Sequence, residues 1–376
     1  MPKIKIERKL RIRRDASTIN KHIGILKVGS VLDVEGPLKG LPVPGSDNSW
    51  WYKDSTGYYW SGGVKEVSLK DLNTRNSKSL NKKSLIDDSK VGWGIELLNI
   101  PKLWNLIGSK GKGINIAILD TGVDYNHPDL PNYISLSNPN FVCKNFLNNT
   151  TNVQDSDGHG THCAGIVCGQ GKQILGVAPD SNLIVGKIME RSSGKGAKLD
   201  YLIEGIDWAY KNGADIISLS LSTSINSDRL KDVVKMTAEK GVNIICAIGN
   251  DGELVNAVYP AIYKESVAVG SINEHKIRDE LSNLSKELDL LAPGVDVYST
   301  GINGTYFTTS GTSMSAAFVS GVFGLLRVKN KTVKGLELNK LVIRSSSDYG
   351  EIIGFDNESG FGIINPLNAL YNLQNI

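Results

Sequence analysis

Residues 201–250 read YLIEGIDWAYKNGADIISLSLSTSINSDRLKDVVKMTAEKGVNIICAIGN, and this stretch decides the fold. Leu202, Ile206 and Ala209 recur at helical spacing and mark one face of a helix, with Gly213 as its stop. The run ADIISLSLS at 214–222 is strand-like. Leu230, Val233, Val234 and Ala238 then repeat the helical face, stopped by Gly241, and VNIICAIGN at 242–250 repeats the strand. Further strand-like runs lie on either side: INIAILD at 114–120, SNLIVGKIM at 181–189 and SVAVGSI at 266–272. Strands alternating with helices imply right-handed crossovers and a mainly parallel sheet flanked by helices on both faces, an α/β fold.

This pattern starts near Val91. Residues 69–90 are polar and rich in Ser, Lys and Asn, the composition of a linker. Residues 1–68 hold short strand-like runs, turn residues and an aromatic patch of Trp50, Trp51, Tyr52, Tyr58, Tyr59 and Trp60. The expected organisation is therefore a small all-β domain at 1–68, a linker at 69–90 and the α/β domain at 91–376.

Bulk composition sets limits on function. Of 376 residues, 40% are hydrophobic and 22% charged, a soluble globular balance. A net charge of +3 is too small to argue for nucleic acid or an acidic membrane as partner. The basic residues of the first fourteen positions alternate with Ile4, Ile6, Leu10 and Ile12, which describes a strand with one solvated face. No apolar run of about 18 residues could span a bilayer, and no apolar segment of the secretory kind follows Met1. Cytoplasm is the expected compartment, with export by another route left open. Four cysteines are too few at this length for a disulfide framework.

Three segments carry chemistry. Asp120-Thr-Gly ends an apolar strand, where parallel sheets place their sites. Asp157-Gly-His159-Gly-Thr-His162 leads into CAGIVC, with glycines on both sides of His159. Ser310-Gly-Thr-Ser313-Met-Ser315 precedes the apolar run AAFVSGVFGLL. A serine there caps a helix or acts as a nucleophile whose oxyanion the positive helix end favours. A metal cluster of His159, His162, Cys163 and Cys168 is the competing reading of the second segment. It lacks the paired spacing of a zinc site.

The order Asp…His…Ser is that of subtilisin and not of chymotrypsin or the α/β-hydrolases. ILDTGVDYNHPDL at 118–130, DGHGTHCAGIV at 157–167 and GTSMSAAFVSGV at 311–322 resemble the Asp, His and Ser motifs of the subtilases. LGVAP at 175–179, AIGND at 247–251, YPA at 259–261 and LAPG at 291–294 fall in the family's order. The resemblance spans roughly residues 92–370 and implies a serine endopeptidase. Ser313 would be the nucleophile, His159 the general base and acid, Asp120 its orienting carboxylate, and Asn250 an oxyanion donor. It further implies a substrate pocket walled by Ser220, Leu221, Ser222, Asp251 and Val258. No cofactor and no metal are expected. Asp129 matches a position that often ligates calcium in the family, yet the short loop after Val167 offers few oxygen ligands. Two departures stand out: Ala317 and Phe318 replace the usual Pro and often His, and the segment Ser220-Leu221-Ser222 has Ser where the family commonly has Gly.

KLRIRRDAS at 9–17, IGILKVGSVLDV at 23–34 and WYKDSTGYYWSGG at 51–63 resemble bacterial SH3-like modules. These are small β-barrels that bind peptides or cell-wall fragments, so the expected partners are protein substrates and a peptide or cell-wall ligand. The rival functional class is a protease-fold protein without activity that binds through this module.

Overall fold

The computed structural model describes residues 91–376 except 133, 191–196, 253–257 and 350–353, together with eight short strands between residues 3 and 67. The chain divides into two compact units, Met1–Leu85 and Ile86–Ile376.

In the first unit the strands are β1 (Lys3–Ile6), β2 (Leu10–Ile12), β3 (Gly24–Leu26), β4 (Val31–Asp33), β5 (Glu35–Lys39), β6 (Trp50–Lys53), β7 (Tyr58–Trp60) and β8 (Val64–Val67). They pair antiparallel in the orders β4-β1-β8, β2-β3 and β5-β6-β7. The segments that would connect these strands into an SH3-like barrel lie outside the described residues, as does the expected linker.

The second unit opens with α1 (Trp93–Leu97) and α2 (Ile100–Ile107). The alternating elements then follow: β9 (Asn115–Asp120), β10 (Cys143–Asn145), α3 (His159–Cys168), β11 (Asn182–Lys187), α4 (Leu199–Lys211), β12 (Ile216–Leu219), α5 (Asp228–Glu239), β13 (Asn243–Ala247), β14 (Ser266–Ile272) and β15 (Leu290–Pro293). A hairpin of β16 (Val297–Thr300) and β17 (Tyr306–Thr309) leads into α6 (Thr312–Lys329), followed by α7 (Leu336–Arg344) and α8 (Pro366–Gln374). The seven strands β10-β11-β9-β12-β13-β14-β15 form one sheet, parallel at every pairing.

Period-two alternation along each strand divides the core between the two faces. Ile116, Ile118, Ile245, Val267 and Val269 pack with α2, α3, α6, α7 and α8. Ala117, Leu119, Ile217, Ile244 and Ala268 pack with α4 and α5. Both faces are covered, which is why the strands read as continuous apolar runs. Each fully buried Ile or Leu contributes roughly 1.5–3 kcal/mol. Gly213 and Gly241 end α4 and α5 with φ of +80° and +91°, a conformation that suits glycine.

Helix α6 is buried on all sides from Thr312 to Arg327, in keeping with a sequence that is apolar or small all round between Met314 and Leu326. It runs for 18 residues without a kink through Ala317 and Phe318, and the Phe318 ring packs against Gly94. Among the described residues, no helix is long and apolar enough to cross a membrane.

Candidate active site

Asp120 is the last residue of β9 and is buried at the carboxyl edge of the sheet. Its Oδ1 accepts from its neighbour's amide, Thr121 N, at 2.7 Å and lies 2.7 Å from His159 Nδ1. Oδ2 is buried and has no hydrogen-bond partner among the described residues.

His159 opens α3, and each flanking glycine has a steric reason. Gly158 sits at φ +102°, a region closed to most side chains. A Cβ on Gly160 would fall 2.2 Å from the Gly122 carbonyl, so only glycine lets the helix approach the end of β9 this closely. Gly160 N donates to Thr121 Oγ1 at 2.9 Å, fastening the two segments together. Asp155 secures the same helix start. Its carboxylate accepts from Asp157 N, Gly158 N, Thr161 N and Thr161 Oγ1 at 2.6–3.0 Å. Burial alone would raise its pKa, but these four donors outweigh burial and hold it below the ordinary value.

Two of the other candidate ligands of the metal reading, His162 and Cys168, point elsewhere. His162 Nε2 faces the carbonyls of Val297 and Phe307, and burial pushes its pKa down to about 4. Cys168 Sγ donates to Ala164 O. Among the described residues, the one group of three His, Cys, Asp or Glu side chains close enough to share an ion is Asp120, His159 and Cys163.

Ser313 lies in the first turn of α6, where amides lack intrahelical partners and the helix dipole is positive. Its hydroxyl donates to the Ser220 carbonyl at 3.1 Å, and Ser220 Oγ returns a bond to the Ser313 carbonyl at 2.9 Å. Asn250 is held by the residue before Ser313: its Oδ1 accepts from Thr312 N at 2.8 Å and Thr312 Oγ1 at 3.0 Å. With Oδ1 committed, the orientation of the amide is fixed and its NH₂ points away from Thr312.

The pocket residues fall into two groups. Ser220–Ser222 continue past the last ladder pair of β12, and the following Thr223 exchanges backbone hydrogen bonds with Tyr259 at 2.9 and 2.8 Å. Leu221 and Val258 are both half-buried against the core on this side of the sheet, while Ser222 is exposed. Asp251 is exposed, and Asn283 accepts from its amide at 2.7 Å and donates to its carboxylate at 3.3 Å. Sequence reasoning missed Asp155, Thr312 and Asn283. The first two had a signal in their adjacency to the His and Ser segments, whereas Asn283 is 32 residues from its partner.

A carboxylate–imidazole pair at a strand end, a serine in the first turn of a buried helix and a parallel α/β scaffold are the components that a serine hydrolase requires. The chain belongs to the subtilase family, which it matches over residues 111–362. It is 38% identical to the major intracellular serine protease of Bacillus subtilis (strain 168), over 65% of this chain and 77% of that protein. An intracellular serine protease of Paenibacillus polymyxa is 36% identical over 62% of this chain and 72% of its own length. A subtilisin of Bacillus pumilus is 34% identical over 73% of this chain and 97% of its own length.

Proposed function

We propose that the protein is a serine endopeptidase that hydrolyses peptide bonds through an acyl-enzyme on Ser313. His159 takes the Ser313 proton as the hydroxyl attacks the scissile carbonyl, then delivers it to the leaving amine. Asp120 holds the imidazole in the tautomer with Nδ1 protonated and stabilises its cationic form. Asn250 Nδ2 and the Ser313 amide receive the oxyanion. A water then attacks the acyl-enzyme, with His159 again acting as base. The observation that carries the reading is the buried 2.7 Å contact between Asp120 and His159. The relatives named as serine proteases support it.

On the same reading, Ser220, Leu221, Ser222, Asp251 and Val258 line the pocket for the side chain before the scissile bond. Val258 fills volume and Asp251 adds a screened negative charge, so medium-sized or basic residues are preferred over Phe and Tyr. We further infer that residues 1–68 form an SH3-like module that binds a peptide or cell-wall fragment, joined by a linker at 69–90 to the peptidase domain at 91–376. Relatives whose names call them intracellular support action in the cytoplasm. The test compares new peptide termini in a proteome treated with wild type and with Ser313→Ala. Termini that appear only with wild type are expected, and identical sets would contradict the function.

A further inference from the structure

A buried cation stands beside this machinery and takes no part in the steps above. Lys187, the last residue of β11, is only 3% exposed, an uncommon place for a lysine. In the parallel register it stands opposite Asp120, so both side chains leave the sheet on the same face. Its Nζ donates to the Gln154 carbonyl at 3.0 Å and lies 3.2 Å from Glu190 Oε1, on a side chain that is 44% exposed. Among the described residues its polar partners are one carbonyl and one half-solvated carboxylate, which compensate a buried ammonium in part.

Gln154 belongs to the segment that delivers His159. Val123 N donates to the Val153 carbonyl at 2.9 Å and Asp155 N to the Val123 carbonyl at 3.2 Å, a parallel bridge between Val123 and Gln154. Residues 153–155 thus strap the chain just after Asp120 to the start of α3, where Asp155 holds the first amides. Lys187 pins the middle of this strap from the neighbouring strand. The packing is close: a Cβ on Gly122 would fall 2.3 Å from the Val153 carbonyl and 3.3 Å from Lys187 Cδ. The hydrogen bond from His159 Nδ1 rests on Asp120 Oδ1, and among the described residues Oδ2 has no hydrogen-bond partner.

We propose that Lys187 is a positioning residue for the peptidase reaction: its ammonium fixes the 153–155 strap and, through it, the register of His159 against Asp120. The proposal rests on the roles given to these two residues above. The test is Lys187→Met, which keeps most of the stem and removes the ammonium, beside Lys187→Arg, which can still donate to the carbonyl. Turnover of a peptide substrate is read per active site titrated with a fluorophosphonate, together with KM and the melting temperature. The expected result for Lys187→Met is a kcat per titrated site lowered about tenfold or more, with KM within about twofold, since sub-ångström to ångström misplacement of a catalytic group has effects of this order. Lys187→Arg should recover most of the loss. An unchanged kcat per site, even with fewer titratable sites or a lower melting temperature, means that Lys187 is merely structural and overturns the proposal. Failure of both variants to fold overturns it too. Wild type without Ser313-dependent hydrolysis would instead refute the underlying function.

Discussion

Substituting Asp129 tests how the short loop after α3 is held. Asp129 is fully buried, and the loop closes on its carboxylate with backbone amides. Oδ1 accepts from Gln170 N at 3.2 Å and Lys172 N at 2.8 Å, and Oδ2 from Gln173 N and Ile174 N, both at 2.8 Å. These four donors present their positive ends where a cation would otherwise sit, so the loop is organised by peptide dipoles. Asp129→Asn keeps the shape but turns an NH₂ group toward two of the donors. Stranding a buried N–H costs about 1–3 kcal/mol, and three of the four bonds are only partly buried, so the total loss should be about 2–4 kcal/mol. Denaturant unfolding of wild type and variant reads this directly. A second readout is Tyr306, whose pKa is pushed up to about 12, first by burial and then by the Asp129 charge 3.4 Å from its hydroxyl. Its absorbance titration should move down in the variant. A loss under about 1 kcal/mol would refute the reasoning, as would a wild-type melting temperature that falls by several degrees on adding a chelator.

Asn250→Ala should lower kcat about 100- to 1,000-fold with little change in KM, because the donor acts on the oxyanion and not on the ground state; a KM effect alone would contradict this. Burial raises the Asp289 pKa to about 7 against a bond from Ala268 N, so the folded state keeps a proton that the unfolded chain loses near pH 4. Its contribution to stability is complete below about pH 4 and lost as pH rises to about 7, so Asp289→Asn should match wild type at pH 4 and exceed it by about 1–4 kcal/mol at pH 8. Equal stability at pH 8 would show that the carboxyl is solvated. Asp251→Asn should reduce selectivity for Lys or Arg before the scissile bond by no more than about fivefold, and high salt should erase the difference. A profile dominated by Phe and Tyr would place Val258 outside the pocket.

The sheet was legible where burial on both faces forces apolar runs: SVAVGSI at 266–272 coincides with β14, and INIAILD contains β9. Edge strands were not legible. Cys143–Asn145 is three residues long with two half-buried, and Leu290–Pro293 carried only a motif. ADIISLSLS is longer than β12, which ends at Leu219, because its last residues pass beyond the ladder into the site. The candidate triad was legible because glycines required by backbone conformation at Gly158 and by close approach at Gly160 leave a signature around His159. The support around it was not. Lys187 and Asn283 are polar residues whose partners, Gln154 and Asp251, lie 33 and 32 residues away and are set by the packing of separate segments, which a local pattern does not record.

The central claim is that Ser313 is an activated nucleophile. The most direct measurement is reaction of the folded protein with a fluorophosphonate, followed by intact mass and peptide mapping. One adduct per chain, on Ser313, is predicted, with labelling abolished in Ser313→Ala and slowed severely in His159→Ala. Wild type that remains unlabelled, or an adduct that persists in Ser313→Ala, would contradict the account.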